Sequence, residues 1–235
     1  GINGNETLTY TMVGEPVGQF YGYKVIGMFK EESDFYKKDA DGNFQLDEAG
    51  NRIRIAIPKG QQISKNGIWV GDYIYEDLHE DGVIDEKDRT FLGNPAPKFT
   101  FGFNNYFAYK GFDLNIFLNG SVGNKAVNLI RRTFTDPMRN SNLLKEATDI
   151  ALIGMHDPEV GDEELSNVYI VNADRAKVQR VTTSSANDNN RISSRFIEDA
   201  SYLRIKNISL GYTFPRKWLR HLQIDNIRLY VNIQN

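Results

Sequence analysis

GNPAPKFTFGFNNYFAYKGFDLNIFLNGSVGN, residues 93–124, decides the fold class, because it reads as two alternating strands joined by a tight turn. In the first arm Phe99, Phe101, Phe103 and Phe107 fall on one face and Thr100, Gly102, Asn104 and Ala108 on the other, as a period of two requires. In the second arm Phe112, Leu114, Ile116 and Leu118 form the apolar face, opposed by Asp113, Asn115 and Asn119. The connection 108–111 ends on Gly111, where a turn needs positive φ. The arms are expected at 99–107 and 112–120. Each is as long as the roughly 9–11 tilted residues with which a strand crosses a bilayer. A hairpin of a soluble sandwich shows the same alternation with its apolar face turned to a core, and periodicity alone leaves both readings open.

Composition bounds the choice. The chain of 235 residues has no cysteine, which excludes a disulfide scaffold, a thiolate metal site and a cysteine nucleophile. With 28 Lys+Arg against 31 Asp+Glu, neither sign gathered into a block, there is no basis for a nucleic-acid partner. No apolar run reaches the ~18 residues of a membrane helix, and the N-terminus does not read as a signal peptide. Barrel strands would leave no such trace: lumen-facing residues alternate with lipid-facing ones, which suits 14 Phe and 12 Tyr in a chain of negative mean hydropathy.

Along the chain, Leu8, Tyr10 and Met12 are expected to end a strand, and residues 13–30 to form an extended segment rich in glycine and aromatic residues. Residues 31–70 are polar and uneven, with Asp-Gly and Ala-Gly-Asn turn signals, and are expected to be an irregular solvent-exposed loop with one small hairpin. Residues 72–77 are a short strand candidate leading into an acidic loop. There Asp77, His79, Asp81, Gly82, Val83, Asp85 and Asp88 occupy positions 1, 3, 5, 6, 7, 9 and 12 of an EF-hand-like loop, in which hard oxygens surround Ca²⁺. The candidate metal ligands are the carboxylates of Asp77, Asp81, Asp85 and Asp88 with the Val83 carbonyl. His79 offers nitrogen at one position and Asp88 stands where a bidentate Glu is usual, so affinity would be weak, on the order of 10⁻⁴–10⁻³ M. The alternative is a turn held by hydrogen bonds from backbone amides to Asp side chains.

After the hairpin, residues 121–200 show no sustained strand pattern; a short helix is expected in 141–154 after a Ser141 cap, and the tract TTSSANDNN, 182–190, is expected to be mobile. In residues 202–214 Leu203 and Ile205 share one parity, whereas Ile208, Leu210 and Tyr212 share the other, so a bulge near Asn207 would keep one face apolar. A last strand alternates Ile227, Leu229, Val231 and Ile233 against Arg228, Tyr230, Asn232 and Gln234. His79, His156 and His221 lie in separate segments, and no HExxH, GxSxG or phosphate-loop motif occurs, so no enzyme is expected.

The segment 93–125 closely resembles the C-terminal region of SusC-like (RagA-type) TonB-dependent outer-membrane transporters of Bacteroidetes. So do VGEPVGQFYGYKVIGMF (13–29), GDYIYEDLHEDGVIDEKDRTFLGNP (71–95), FIEDASYLRIKNISLGYTFPRKWL (196–219) and IDNIRLYVNIQN (224–235), in the same order and over rather more than half of the chain. The resemblance implies an all-β fold: a fragment, residues 1–235, of a large antiparallel transmembrane β-barrel in the cell outer membrane, with long extracellular excursions at about 13–98 and 121–200. Whole barrels of that family have about 22 strands around an internal plug. The resemblance further implies energised import of oligosaccharides or peptides beneath a SusD-like surface lipoprotein, driven by a TonB complex reached through an N-terminal part that this sequence lacks. The chain also stops at Asn235, where members of that family continue into another strand. The rival expectation is a soluble secreted all-β module that binds carbohydrate with the help of calcium; detergent-dependent solubility separates the two.

Overall fold

The computed structural model describes residues 7–222 and 224–235. They form two compact units: the described residues up to Gly93 together with Val127–Glu198, and Asn94–Ala126 together with Asp199–Asn235. In chain order the strands are β1 (Thr9–Tyr10), β2 (Gln19–Tyr23), β3 (Val25–Met28), β4 (Ile57–Pro58), β5 (Tyr73–Tyr75), β6 (Val83–Ile84) and β7 (Arg89–Gly93). Then come β8 (Phe99–Tyr109), β9 (Phe112–Val122), β10 (Lys125–Val127), β11 (Ile153–Met155), β12 (Val168–Ile170), β13 (Ile197–Asp199), β14 (Tyr202–Thr213) and β15 (Arg228–Gln234). Two short α-helices, α1 (Leu129–Phe134) and α2 (Arg216–Leu219), interrupt them. The all-β expectation holds. Part of the predicted N-terminal strand end lies outside the described residues; within them Thr9 and Tyr10 pair with Phe20 and Gln19.

The second unit is an antiparallel sheet in the order β15-β14-β9-β8. Its founding hairpin turns through Lys110 (φ 48°) and Gly111 (φ 90°), and two positive φ angles in a two-residue loop match the right-handed twist of the strands it joins. Each arm runs eleven residues rather than the nine expected. The register places Phe101 opposite Gly120, Phe103 opposite Leu118 and Phe107 opposite Leu114. A Cβ on Gly120 would come within 2.4 Å of the Phe101 ring, so glycine there lets the ring lie across the neighbouring strand. Between Ile205 and Asn207 the pairing with β9 shifts by one residue, so Lys206 is the bulge anticipated near Asn207. Beyond it Ile208, Leu210 and Tyr212 face the same side as Leu203 and Ile205, and Ile233, Val231 and Leu229 continue that side onto β15. One face is therefore apolar across all four strands apart from Asn105, which lies opposite Ile116, and much of it is exposed: Leu203 at 67%, Leu229 at 64% and Val231 at 66%.

The first unit overturns several expectations. Residues 31–70 are a solvent-exposed stretch only in part: most of 38–54 lies at the surface, but Phe35, Ile68, Trp69 and Val70 are buried and share one core with Phe29, Ile74, Ala151, Val168 and Ile170. Phe29 and Phe35 stack with ring centroids 4.0 Å apart. Stretches on either side of the β8–β9 hairpin thus bury a common apolar surface, which a polar average along the sequence conceals. Instead of one small hairpin, residues 37–53 make two successive turns of the same Asp-x-x-Gly-Asn form. Asp39 Oδ1 accepts from the amides of Asp41 and Asn43, and Asp47 Oδ1 from those of Ala49 and Asn51. Gln45 N then donates to Lys37 O and Ile53 N to Gln45 O, which ties three extended pieces side by side.

The predicted helix in 141–154 is reduced to a 3-10 turn at Lys145–Asp149, preceded by Leu144 without a side-chain cap, so Ser141 does not cap it. The helical segment is α1 instead, where the Asn128 side chain accepts from Arg131 N. Nor does the tract 182–190 hang free, as the pocket below shows.

Candidate functional site

The acidic loop lies between β5 and β7; Asp77, Asp81, Asp85 and Asp88 each accept from backbone amides, while Asp77 Oδ1 is buried with no hydrogen-bond partner among the described residues. Asp77 Oδ2 accepts from Gly82 N at 2.9 Å, and Asp81 Oδ1 from Val83 N at 3.1 Å. Asp85 Oδ1 accepts from Lys87 N at 2.8 Å, while Asp88 Oδ2 accepts from Asp85 N in return, a reciprocal cap on the 3-10 turn Glu86–Asp88. Asp88 is 1% exposed, and its other oxygen accepts from Leu78 N at 2.9 Å. Both oxygens expected to grip an ion at the last position thus serve amides. Val83, whose carbonyl was the fifth candidate ligand, instead opens β6 and pairs with Ile57 of β4. His79 Nδ1 stands 3.6 Å from Asp88 Oδ1. Among the described residues, no three carboxylate or imidazole groups converge as a metal site would need. These hydrogen bonds are the ones the amide-held turn calls for.

A second constellation was not anticipated. In the first unit a cavity of about 350 Å³ is lined by Asp136, Met138, Thr182, Ser184, Asp188 and Asn189, among others. Most of the lining residues carry a hydroxyl or an amide, although more of the accessible surface is apolar than polar. Such a lining suits a ligand rich in hydroxyl or amide groups.

A buried ion pair backs the lining at Arg180 and Asn189. Asp72, 1% exposed, accepts from Trp69 N, from Arg180 Nε at 3.0 Å and Nη2 at 3.1 Å, and from Asn189 Nδ2 at 2.8 Å. Arg180 also donates from Nη1 to the carbonyl of Lys65 and from Nη2 to that of Gly67. Asn187, 3% exposed, donates to Tyr73 O, and Tyr73 N donates to Asn189 Oδ1. The tract expected to be mobile therefore serves as an anchor. Burial pushes the Tyr73 phenol well above its ordinary value, so it stays protonated; its oxygen accepts from Gln179 N and its hydrogen goes to Lys177 O. Behind it Arg195 lies over the Tyr73 ring at 4.5 Å, and burial lowers its pKa. Sequence pattern gave no sign of these residues, since TTSSANDNN has the composition of a flexible tract and only its partners show that it is held.

Beside the cavity Arg131 Nε donates to Glu146 at 2.8 Å, and that hydrogen bond holds the Glu146 carboxyl below the usual range. In the second unit the polar face of the sheet carries Asn104, Asn115, Asn119 and Asn207, opposite in direction to the apolar face.

Comparison with known proteins agrees with this architecture. No family model matches the chain. Over 222 residues it is 30% identical to TonB-dependent receptor P3 of Formosa agariphila, an alignment covering 94% of this chain and 18% of that protein. To TonB-dependent receptor SusC of Bacteroides thetaiotaomicron it is 23% identical over 213 residues, covering 87% of this chain and 19% of SusC. Among solved structures, the RagAB peptide transporter superposes with a TM-score of 0.56 at 16% identity, over 97% of this chain and 21% of that one, which shows the shared fold. The chain spans about a fifth of the length of these relatives.

Proposed function

We propose that this chain, a SusC/RagA-like stretch of the TonB-dependent receptor kind, is wall and outer mouth of an outer-membrane transporter that imports oligosaccharides or peptides. The observation that carries the proposal is the four-stranded sheet with one face apolar from β8 to β15. An exposed apolar surface of that extent is unfavourable in water and favourable in lipid. Strands of eleven or twelve residues have the reach to cross a bilayer while tilted. In such barrels short turns lie on the periplasmic side and long loops outside, so the Lys110–Gly111 turn would be periplasmic and the long excursions at about 13–98 and 121–200 extracellular. The cavity lined by residues of the 121–200 excursion, most of them bearing a hydroxyl or an amide, has the chemistry to receive sugar hydroxyls or peptide amides. Energy would come through a TonB complex and closure through a SusD-like surface lipoprotein, in line with the kinship to SusC.

This chain has no cysteine, so single-cysteine labelling on intact cells, in a complete transporter whose cysteines elsewhere, if any, are replaced, tests the arrangement. A membrane-impermeant maleimide should react at Ala49→Cys in whole cells and at Lys110→Cys only after the outer membrane is permeabilised. The opposite pattern would invert the topology, and equal labelling of both in a soluble fraction would return the chain to the secreted-module alternative.

A further inference from the structure

The apolar face of the sheet does not stop where its strands end. Phe112 and Tyr212 face each other across β9 and β14 with ring centroids 4.5 Å apart. Tyr212 meets Phe214 edge-on at 5.1 Å, and Phe214 lies 6.4 Å from Trp218. A column of rings thus carries the apolar face into α2, where Trp218 is 57% exposed although its neighbour Leu219 is buried.

Around that exposed ring the connector is cationic. Arg216, Lys217 and Arg220 are all solvent-exposed. Arg216 faces Asp225 at 3.2 Å, but the two side chains are 81% and 94% exposed, so the pair does little to neutralise the patch. Among the described residues neither Lys217 nor Arg220 has an ion-pair partner. Lys110, at the tip of the β8–β9 turn on the same end of the sheet, rests over the Tyr109 ring at 5.1 Å.

An indole continuous with a lipid-facing surface, ringed by uncompensated cations, has the two parts that a boundary with anionic headgroups calls for. The ring lies among the upper acyl segments, and the long cationic side chains extend to the phosphates. We propose that this end of the sheet holds anionic phospholipids of the periplasmic leaflet, with Trp218 in the interface and Lys110, Lys217 and Arg220 on the headgroup phosphates. The proposal rests on the membrane-wall reading, which places the tight turn on the periplasmic side. An acidic protein partner would satisfy the cations, but it would leave no reason for the ring column to run unbroken from the lipid-facing side.

The test uses the complete transporter, purified in detergent and exchanged into nanodiscs of phosphatidylcholine with a minor share of phosphatidylglycerol. Native mass spectrometry then counts the lipids retained. The unaltered protein should retain phosphatidylglycerol in preference, each neutralised cation in Lys110→Gln, Lys217→Gln and Arg220→Gln should lower that preference by roughly fivefold, and added salt should weaken it. Heat-modifiable gel mobility is read on the same samples. Loss of it in the unaltered protein overturns the wall reading and this proposal together, whereas intact mobility with equal retention of both lipids overturns this proposal alone. A photo-crosslinking residue in Arg220→benzoylphenylalanine should yield adducts of phospholipid mass; adducts of protein mass would assign the patch to a protein and overturn the lipid assignment.

Discussion

Two aspartates, one paired with an arginine and the other with amides, hold the first unit's irregular backbone in place. Asp72 is enclosed by donors from Trp69, Arg180 and Asn189, so its charge is compensated although it is 1% exposed. Removing Arg180 would leave a buried carboxylate with half of its donors and free two carbonyls, at Lys65 and Gly67. Arg180→Ala should therefore cost about 3–5 kcal/mol of the unit's stability. In the complete transporter it should expose residues 60–75 to trypsin at lower urea; unchanged protection would mean that the pair is dispensable. Asp88 serves two amides instead of a cation. Asp88→Ala strands both, should cost about 1–3 kcal/mol for each amide left unpaired, and should open residues 77–89 to protease. In the unaltered protein, calcium at roughly millimolar concentration should add no protection to that loop. Protection by calcium would favour the ion that the spacing of Asp77, Asp81, Asp85 and Asp88 suggests over the amide-held turn.

At the scale of elements the two units differ in how openly they declare themselves. In β8, β9 and β15 apolar side chains recur at every second position over seven to eleven residues, interrupted by Asn105 in β8 and Gly120 in β9. That period is written in the sequence, and even the Lys206 bulge is visible as a change of parity between Ile205 and Ile208. Strands of two to five residues, such as β4, β6 and β12, are too short to show a period. Their positions depend on partners far away in the chain, as in the bond from Tyr73 N to Asn189, 116 residues on. The wall assignment makes a direct demand. Arginine at Phe101, Leu114, Ile116, Leu229 or Val231 should destabilise the folded barrel by about 2–4 kcal/mol where the site lies near the bilayer midplane. Arginine at Asn104 or Asn115, on the opposite face, should be far milder. The yield of heat-modifiable transporter measures both sets, and equal losses would refute the parity.

Across the whole molecule, the stretch before the wall hairpin and the stretch after it fold on one core, Phe35, Ile68 and Val70 from the first with Ala151, Val168 and Ile170 from the second. A strand-forming region can dictate its own pairing through local alternation. A body assembled from two segments separated by a long hairpin is specified by complementarity between them, and neither half carries that information alone. The tract 182–190 shows the difference. Its composition reads as slack, yet Asn187 and Asn189 are tied to Asp72 and Tyr73, and Arg191 donates to Asn187 O. All of these partners lie within the unit formed by residues up to Gly93 and 127–198, whereas the wall sheet takes its pairing from β8, β9, β14 and β15. Deleting 182–190 from the complete transporter should therefore separate two outcomes that simple loop shortening would not. Heat-modifiable mobility should persist, because the sheet keeps every paired residue. The first unit should lose its protection against trypsin, with cleavage first at Lys65 and Arg191, whose surroundings depend on the Arg180 and Asn187 contacts. If the protease pattern stayed unchanged, the anchor assigned to Asn187 and Asn189 would carry no weight in the fold; if mobility were lost as well, the folding of the wall would depend on the first unit.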